Sequence, residues 1–104
     1  MLRITFGDER DRVRITVEGE LCGDVASLLE ADWRRATALH KEKRTVVDLC
    51  GVTLIDATGK KVLSLMIDGG AEFLVSGPET AYVIETLRKG SRAGTRRIES
   101  GTGG

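Results

Sequence analysis

Apolar and polar residues alternate twice at the start of the chain. Leu2, Ile4 and Phe6 are separated by Arg3 and Thr5, and after the polar stretch Gly7-Asp8-Glu9-Arg10-Asp11 a second alternation follows in Val13, Ile15 and Val17. A period of two marks half-buried strands, so this region predicts two strands joined by a polar turn. Glu18-Gly19-Glu20 interrupts the pattern and is expected to end the second strand. Leu21-Cys22-Gly23-Asp24 then leads into Val25, Leu28, Leu29, Trp33, Ala36 and Leu39. Spacings of three and four predict a helix over 24–39 with one apolar stripe, with Gly23 or Asp24 as its N-cap. Glu30, Asp32, Arg34 and Arg35 lie mostly off that stripe, as a solvated face requires.

Beyond the charged residues 40–44, Thr45-Val46-Val47-Asp48-Leu49-Cys50 is a β-branched run suited to a central strand buried on both faces. Gly51 is expected to turn the chain, and Val52-Thr53-Leu54-Ile55 carries it to Asp56-Ala57-Thr58-Gly59. Val62, Leu63, Leu65, Met66 and Ile67 predict a second, more deeply buried helix that stops at Gly69-Gly70. Glu72-Phe73-Leu74-Val75 reads as a short strand. Ser76 and Glu79 fit a capping box, Pro78 suits a first helical turn, and Tyr82, Val83 and Leu87 carry a third helix. Strands that alternate with helices predict an α/β fold. Its mixed sheet has parallel crossovers and an antiparallel hairpin at one edge.

The chain of 104 residues suffices for one core and not two. Its 16 basic and 16 acidic residues balance, but unevenly along the chain. Residues 1–87 hold 11 Lys/Arg against 15 Asp/Glu, whereas residues 88–104 hold five against Glu99 alone. Residues 1–88 are therefore read as the domain and residues 89–104 as a flexible basic tail of Gly, Arg, Ser and Thr, with Ile98 its one large apolar side chain. Four aromatic residues supply little stacking for bases, so no nucleic-acid partner is expected. Cys22 and Cys50 lie far apart without a CxxC or a histidine cluster and are expected to be free, buried thiols in a reducing cytosol. His40, the one histidine, has no partner at a spacing that suggests nucleophilic catalysis, and no glycine-rich phosphate loop occurs. No enzyme activity, metal or cofactor is expected. The alternating N-terminus is not a signal segment and no apolar run reaches membrane length, so a cytoplasmic protein without direct membrane insertion is expected.

The segment Thr45-Val46-Val47-Asp48-Leu49-Cys50-Gly51-Val52-Thr53-Leu54-Ile55-Asp56-Ala57-Thr58-Gly59 resembles the centre of the STAS family, the domains of anti-sigma factor antagonists and of sulfate-transporter cytoplasmic tails. There a hydrophobic strand, an aspartate and Gly-Val precede Asp-Ser-Ser/Thr-Gly at the start of a helix. Leu21-Cys22-Gly23-Asp24-Val25 is similar to the family's L-x-G-x-L/V element, and the strand ending Val75-Ser76-Gly77 also matches, so the resemblance covers roughly residues 2–87. It implies a STAS-like mixed sheet of four to five strands with helices packed on it. It also implies a non-enzymatic bacterial signalling domain that regulates transcription by protein-protein contact, its partner an anti-sigma factor of the kinase type. In such antagonists the loop before the second helix docks on the kinase, which phosphorylates the first hydroxyl residue after the aspartate.

On that pattern the partner-binding residues are Asp24, Asp56, Ala57, Thr58, Gly59, Lys60 and Lys61. The chain departs from it at Ala57, which occupies the usual phosphoacceptor position and has no hydroxyl. Thr58 is then the residue left for phosphorylation, although capping of the second helix is the expectation favoured for it. Asp56 suits a cap or a compensating charge at a helix N-terminus, as well as partner recognition. Lys60 and Lys61 oppose the macrodipole in a first helical turn, which suggests either an acidic partner or pairing with Asp56. A constitutive or differently controlled binder follows from Ala57. The alternative is an accessory STAS subunit of an ABC-type lipid transport system, whose partners would be a permease and an ATPase.

Overall fold

A computed structural model describes residues 2–90. The order is β1 (Leu2–Asp8), β2 (Arg12–Leu21), α1 (Gly23–Leu39), β3 (Arg44–Ile55), α2 (Ala57–Asp68), β4 (Glu72–Leu74) and α3 (Pro78–Gly90). The four strands form one mixed sheet in the order β1-β2-β3-β4, antiparallel between β1 and β2 and parallel across the other two pairs. The expected α/β architecture is met, with four strands and three helices among the described residues. β3 is interior, and Val46 and Val47, which point to opposite faces, are both buried.

Val13, Ile15 and Val17 of β2 and Val47 and Leu49 of β3 form the floor of the core. Ala26, Leu29, Trp33 and Ala36 of α1 and Val62, Leu63 and Met66 of α2 cover it. Asp8 with Lys43, and Arg44 with Glu72, tie the far end of the sheet together by ion pairs.

Several expectations are corrected. Gly51 does not turn the chain: β3 runs through it to Ile55, and the missing side chain makes room for Glu18 across the ladder. A Cβ at Gly51 would lie 2.9 Å from Glu18 Cγ. Nor does Glu18-Gly19-Glu20 end β2. The pairing with β3 shifts register there, with Gly19 at φ 104°, and continues to Leu21. Leu28 (58% exposed) and Leu39 (70%) lie off the inner stripe of α1, and Ala26 takes an inner position instead. On α3, Tyr82 is 71% exposed while Ile84 is buried. The thiols are not buried either: Cys50 is exposed and Cys22 half-buried. α3 extends through Lys89 and Gly90, past the expected boundary at residue 88, and the rest of the basic tail lies outside the described residues.

Candidate functional site

Leu21 and Ile55 are the last residues of β2 and β3 and sit opposite each other in the ladder. Each strand is followed almost at once by a helix, so the N-termini of α1 and α2 emerge side by side at the carboxyl ends of two parallel strands. Both helix starts carry unpaired amide donors and the positive end of a macrodipole.

Asp56 resolves that crowding. It is the N-cap of α2, and its Oδ1 accepts a hydrogen bond from Gly59 N–H at 2.7 Å, the usual reach from an N-cap to the third helical residue. Its Oδ2 accepts from Gly23 N–H at 3.0 Å, at the first residue of α1. One carboxylate therefore ties together the starts of two helices through residues 33 apart in the sequence. The amides of Gly59 and then Gly23 hold the Asp56 carboxyl below the usual aspartate range, because they stabilise its charged form. The backbone reinforces the junction through Asp56 N–H, which donates to Leu21 O at 3.3 Å.

Two glycines permit the close approach. Gly23 adopts φ +58°, a left-handed conformation that most side chains resist, and this directs the chain from β2 into α1. Gly59 is buried against the end of β2, where a Cβ would lie 2.3 Å from Leu21 O. The first turn of α2 can rest on β2 because position 59 has no side chain.

Asp24, Asp56, Ala57, Thr58, Gly59, Lys60 and Lys61 are thus brought to one end of the molecule. Asp24, Ala57, Thr58, Lys60 and Lys61 are exposed, Asp56 is half-buried and Gly59 is buried. The caps differ from the expectation. α1 is capped at Cys22 without a side-chain bond, not at Gly23 or Asp24. α2 is capped by Asp56 and not by Thr58, which lies inside the helix. The Asp56 carboxylate is occupied by backbone amides, and its pairing with Lys60 or Lys61 is not seen. Lys60 instead borders a shallow cleft of about 180 Å³ between the end of β3 and the start of α3, together with Leu54, Ile55, Glu79, Thr80 and Val83.

Sequence reasoning did not anticipate the Gly23 bond or the α3 wall of this cleft. The Asp56-to-Gly59 spacing carries a capping signal, whereas the bond to Gly23 depends on strand register. Among the described residues no group of three or more His, Cys, Asp or Glu could hold a metal ion, and no helix is long and apolar enough to cross a membrane.

No protein-family model matches the sequence, and no curated protein matches it. Solved structures do. An anti-sigma factor antagonist from Mycobacterium paratuberculosis superposes with a TM-score of 0.75 at 22% identity, covering 88% of this chain and 84% of that one. An antisigma-factor antagonist STAS domain from Rhodobacter sphaeroides matches at 22% identity with a TM-score of 0.49, over 73% of this chain and 86% of that one. The mixed four-stranded sheet and its three helices, in this order, therefore give the chain a STAS-type fold, which it shares with the anti-sigma factor antagonist from Mycobacterium paratuberculosis.

Proposed function

We propose that the chain is a non-enzymatic regulatory domain of the bacterial cytoplasm that acts as an anti-sigma factor antagonist, or a close functional relative, through protein-protein contact. The docking surface is the end that carries Asp24, Ala57, Thr58, Lys60 and Lys61. The observation that carries this reading is the double cap by Asp56, which holds the starts of α1 and α2 in one fixed arrangement with Asp24, Ala57, Thr58 and Lys60 exposed. A preorganised patch loses little freedom on binding. The partner is an anti-sigma factor of the kinase type.

Ala57 sets how this binder is controlled. A phosphate adds about −1.5 to −2 charges and would disrupt a tight contact beside an existing carboxylate. Position 57 cannot receive one, so binding is constitutive with respect to that switch, and Thr58 is the remaining hydroxyl on the exposed first turn.

The test is capture of the partner from cells that express the full chain, followed by affinity and phosphate-incorporation measurements on the parent, Ala57→Asp and Ala57→Ser. Expected are recovery of a kinase-type anti-sigma factor, weaker binding by Ala57→Asp, and phosphate uptake by Ala57→Ser but not at position 57 of the parent. Unchanged affinity in Ala57→Asp would remove this loop from the interface, and recovery of a permease and ATPase would replace the anti-sigma reading by a transport role.

A further inference from the structure

β1 forms one side of the sheet, and no described strand pairs with its outer edge. The hairpin shows which groups that edge presents. Glu9 N–H donates to Arg12 O at 2.9 Å, and the antiparallel register runs unbroken from Asp8↔Val13 to Leu2↔Gly19. Hydrogen-bonded pairs alternate along such a ladder, so Gly7, Thr5 and Arg3 bond to β2. The N–H and C=O groups of Leu2, Ile4, Phe6 and Asp8 consequently face outward.

Natural edge strands are commonly blunted by proline, lysine, a bulge or shortness. β1 is seven residues long, contains neither proline nor lysine, and has no bulge against β2. The surface beside it is partly apolar, although Asp8 and His40 also border it. Phe6 is 48% exposed, and together with Val13, Ala36 and Leu39 it lines an open groove of about 270 Å³ whose rim carries Asp32 and Arg35.

A second copy of the chain fits this edge because β1 is complementary to itself. Antiparallel pairing centred on Thr5 sets Ile4 opposite the partner's Phe6 and Leu2 opposite the partner's Asp8. Every outward-facing residue then meets another outward-facing residue. Centring on Ile4 instead would pair Leu2 with the partner's Phe6 and set Asp8 beyond the partner's β1. In the Thr5 register the apolar Ile4 and Phe6 side chains stack beside the groove, and on the other face Arg3 lies opposite glycine. The groove also carries charge of both signs, Asp32 and Arg35 lying 3.4 Å apart, so an identical surface brought against it meets no single-sign repulsion.

We propose that the chain forms a reversible two-fold dimer by antiparallel β1–β1 pairing centred on Thr5, with one sheet continuous across both copies. A single strand and one helix flank make a small interface, so the dimer should dissociate on dilution. It leaves the Asp56 end of the molecule free and does not depend on the function proposed there.

Sedimentation of the full chain over a range of concentrations reads the association. In a background with Cys22→Ser and Cys50→Ser, Thr5→Cys reads the register. The two Thr5 residues form a non-hydrogen-bonded pair, with Cα atoms roughly 4.5 Å apart, close enough for a disulfide. Expected are concentration-dependent dimers, rapid cross-linking of Thr5→Cys under mild oxidation, and little cross-linking of Arg3→Cys. Phe6→Lys, which places a cation beside the partner's Ile4, should give monomers with an unchanged circular dichroism spectrum. A chain that stays monomeric at millimolar concentration overturns the proposal, as does cross-linking of Arg3→Cys as fast as Thr5→Cys, or a Phe6→Lys variant that still dimerises.

Discussion

Gly59→Ala tests whether the contact between α2 and the end of β2 holds the two helix starts together. On helix propensity alone the change is favourable, since alanine is preferred over glycine in a helix interior by about 1 kcal/mol. The packing opposes it. The new Cβ would lie 2.3 Å from Leu21 O, 3.1 Å from Ile55 Cγ2 and 3.2 Å from Leu21 Cγ, whereas ordinary contact begins at 3.4 Å. The nearest atom belongs to the backbone of a hydrogen-bonded strand and cannot rotate aside. The first turn of α2 must therefore lift by about 1 Å, which stretches the bonds from Gly59 and Gly23 to Asp56.

Overpacking costs about 1–3 kcal/mol, and a 2.3 Å approach to a fixed backbone oxygen belongs to the upper part of that range, about 2–3 kcal/mol, so with the propensity gain subtracted the expected net loss is about 1–2 kcal/mol. For a domain of this size each kcal/mol lowers Tm by roughly 4–8 °C. Urea and thermal unfolding followed by circular dichroism measure the effect. Gly90→Ala is the control, because no described residue lies within 4 Å of the Cβ it would add at the end of α3. It should be neutral or slightly stabilising. If Gly59→Ala equals or exceeds the parent in stability, the close approach at Leu21 does not constrain the junction and the reasoning fails.

Two further outcomes follow from the same geometry. The Asp56 carboxyl is held below its ordinary value, so the charged form contributes stability that is present above about pH 4, the unfolded aspartate range, and is lost as pH falls through the folded value. Asp56→Asn should therefore unfold more easily than the parent at neutral pH, with the difference shrinking towards pH 3; a constant difference across that window would show that the charge is not what matters. On α3, Ile84→Ala should cost roughly 2–5 kcal/mol, while Tyr82→Ser should stay within about 0.5 kcal/mol of the parent. Similar losses for both in urea unfolding would mean that the inward face of the helix has been assigned wrongly.

The alternation in β1 and β2, the β-branched run of β3 and the order of elements were readable in the chain because period and composition are local properties. The misread positions share a cause. Leu28, Leu39 and Tyr82 satisfy helical spacing, yet they lie at the margins of the covered area. Sheet width and helix placement, which are set by distant pairings, leave them in solvent. Gly51 and Gly19 look like breaks in sequence, but β2 and β3 pair along their length and absorb one glycine as space for Glu18 and the other as a shift in register. Residues 56–61 were identifiable as a group from their resemblance to a known pattern. The bond from Gly23 to Asp56 was not, because it requires Leu21 and Ile55 to finish opposite each other.

That bond changes what the aspartate can contribute to recognition. Each oxygen of Asp56 already accepts from a backbone amide, and its charge compensates two helix N-termini at once. A partner docking at this end, as proposed, would therefore meet Asp56 as part of the frame, and the charges open to it would be Asp24 on α1 and Lys60 and Lys61 on α2. The two cations lie four and five residues beyond the cap, near the helix start where the macrodipole disfavours them, and the first turn of α2 holds no acidic residue. An acidic group on a partner could supply that compensation. Contact by Lys60 and Lys61 would then depend on salt, as exposed charge pairs do, whereas the arrangement that presents them is set by short bonds within the protein.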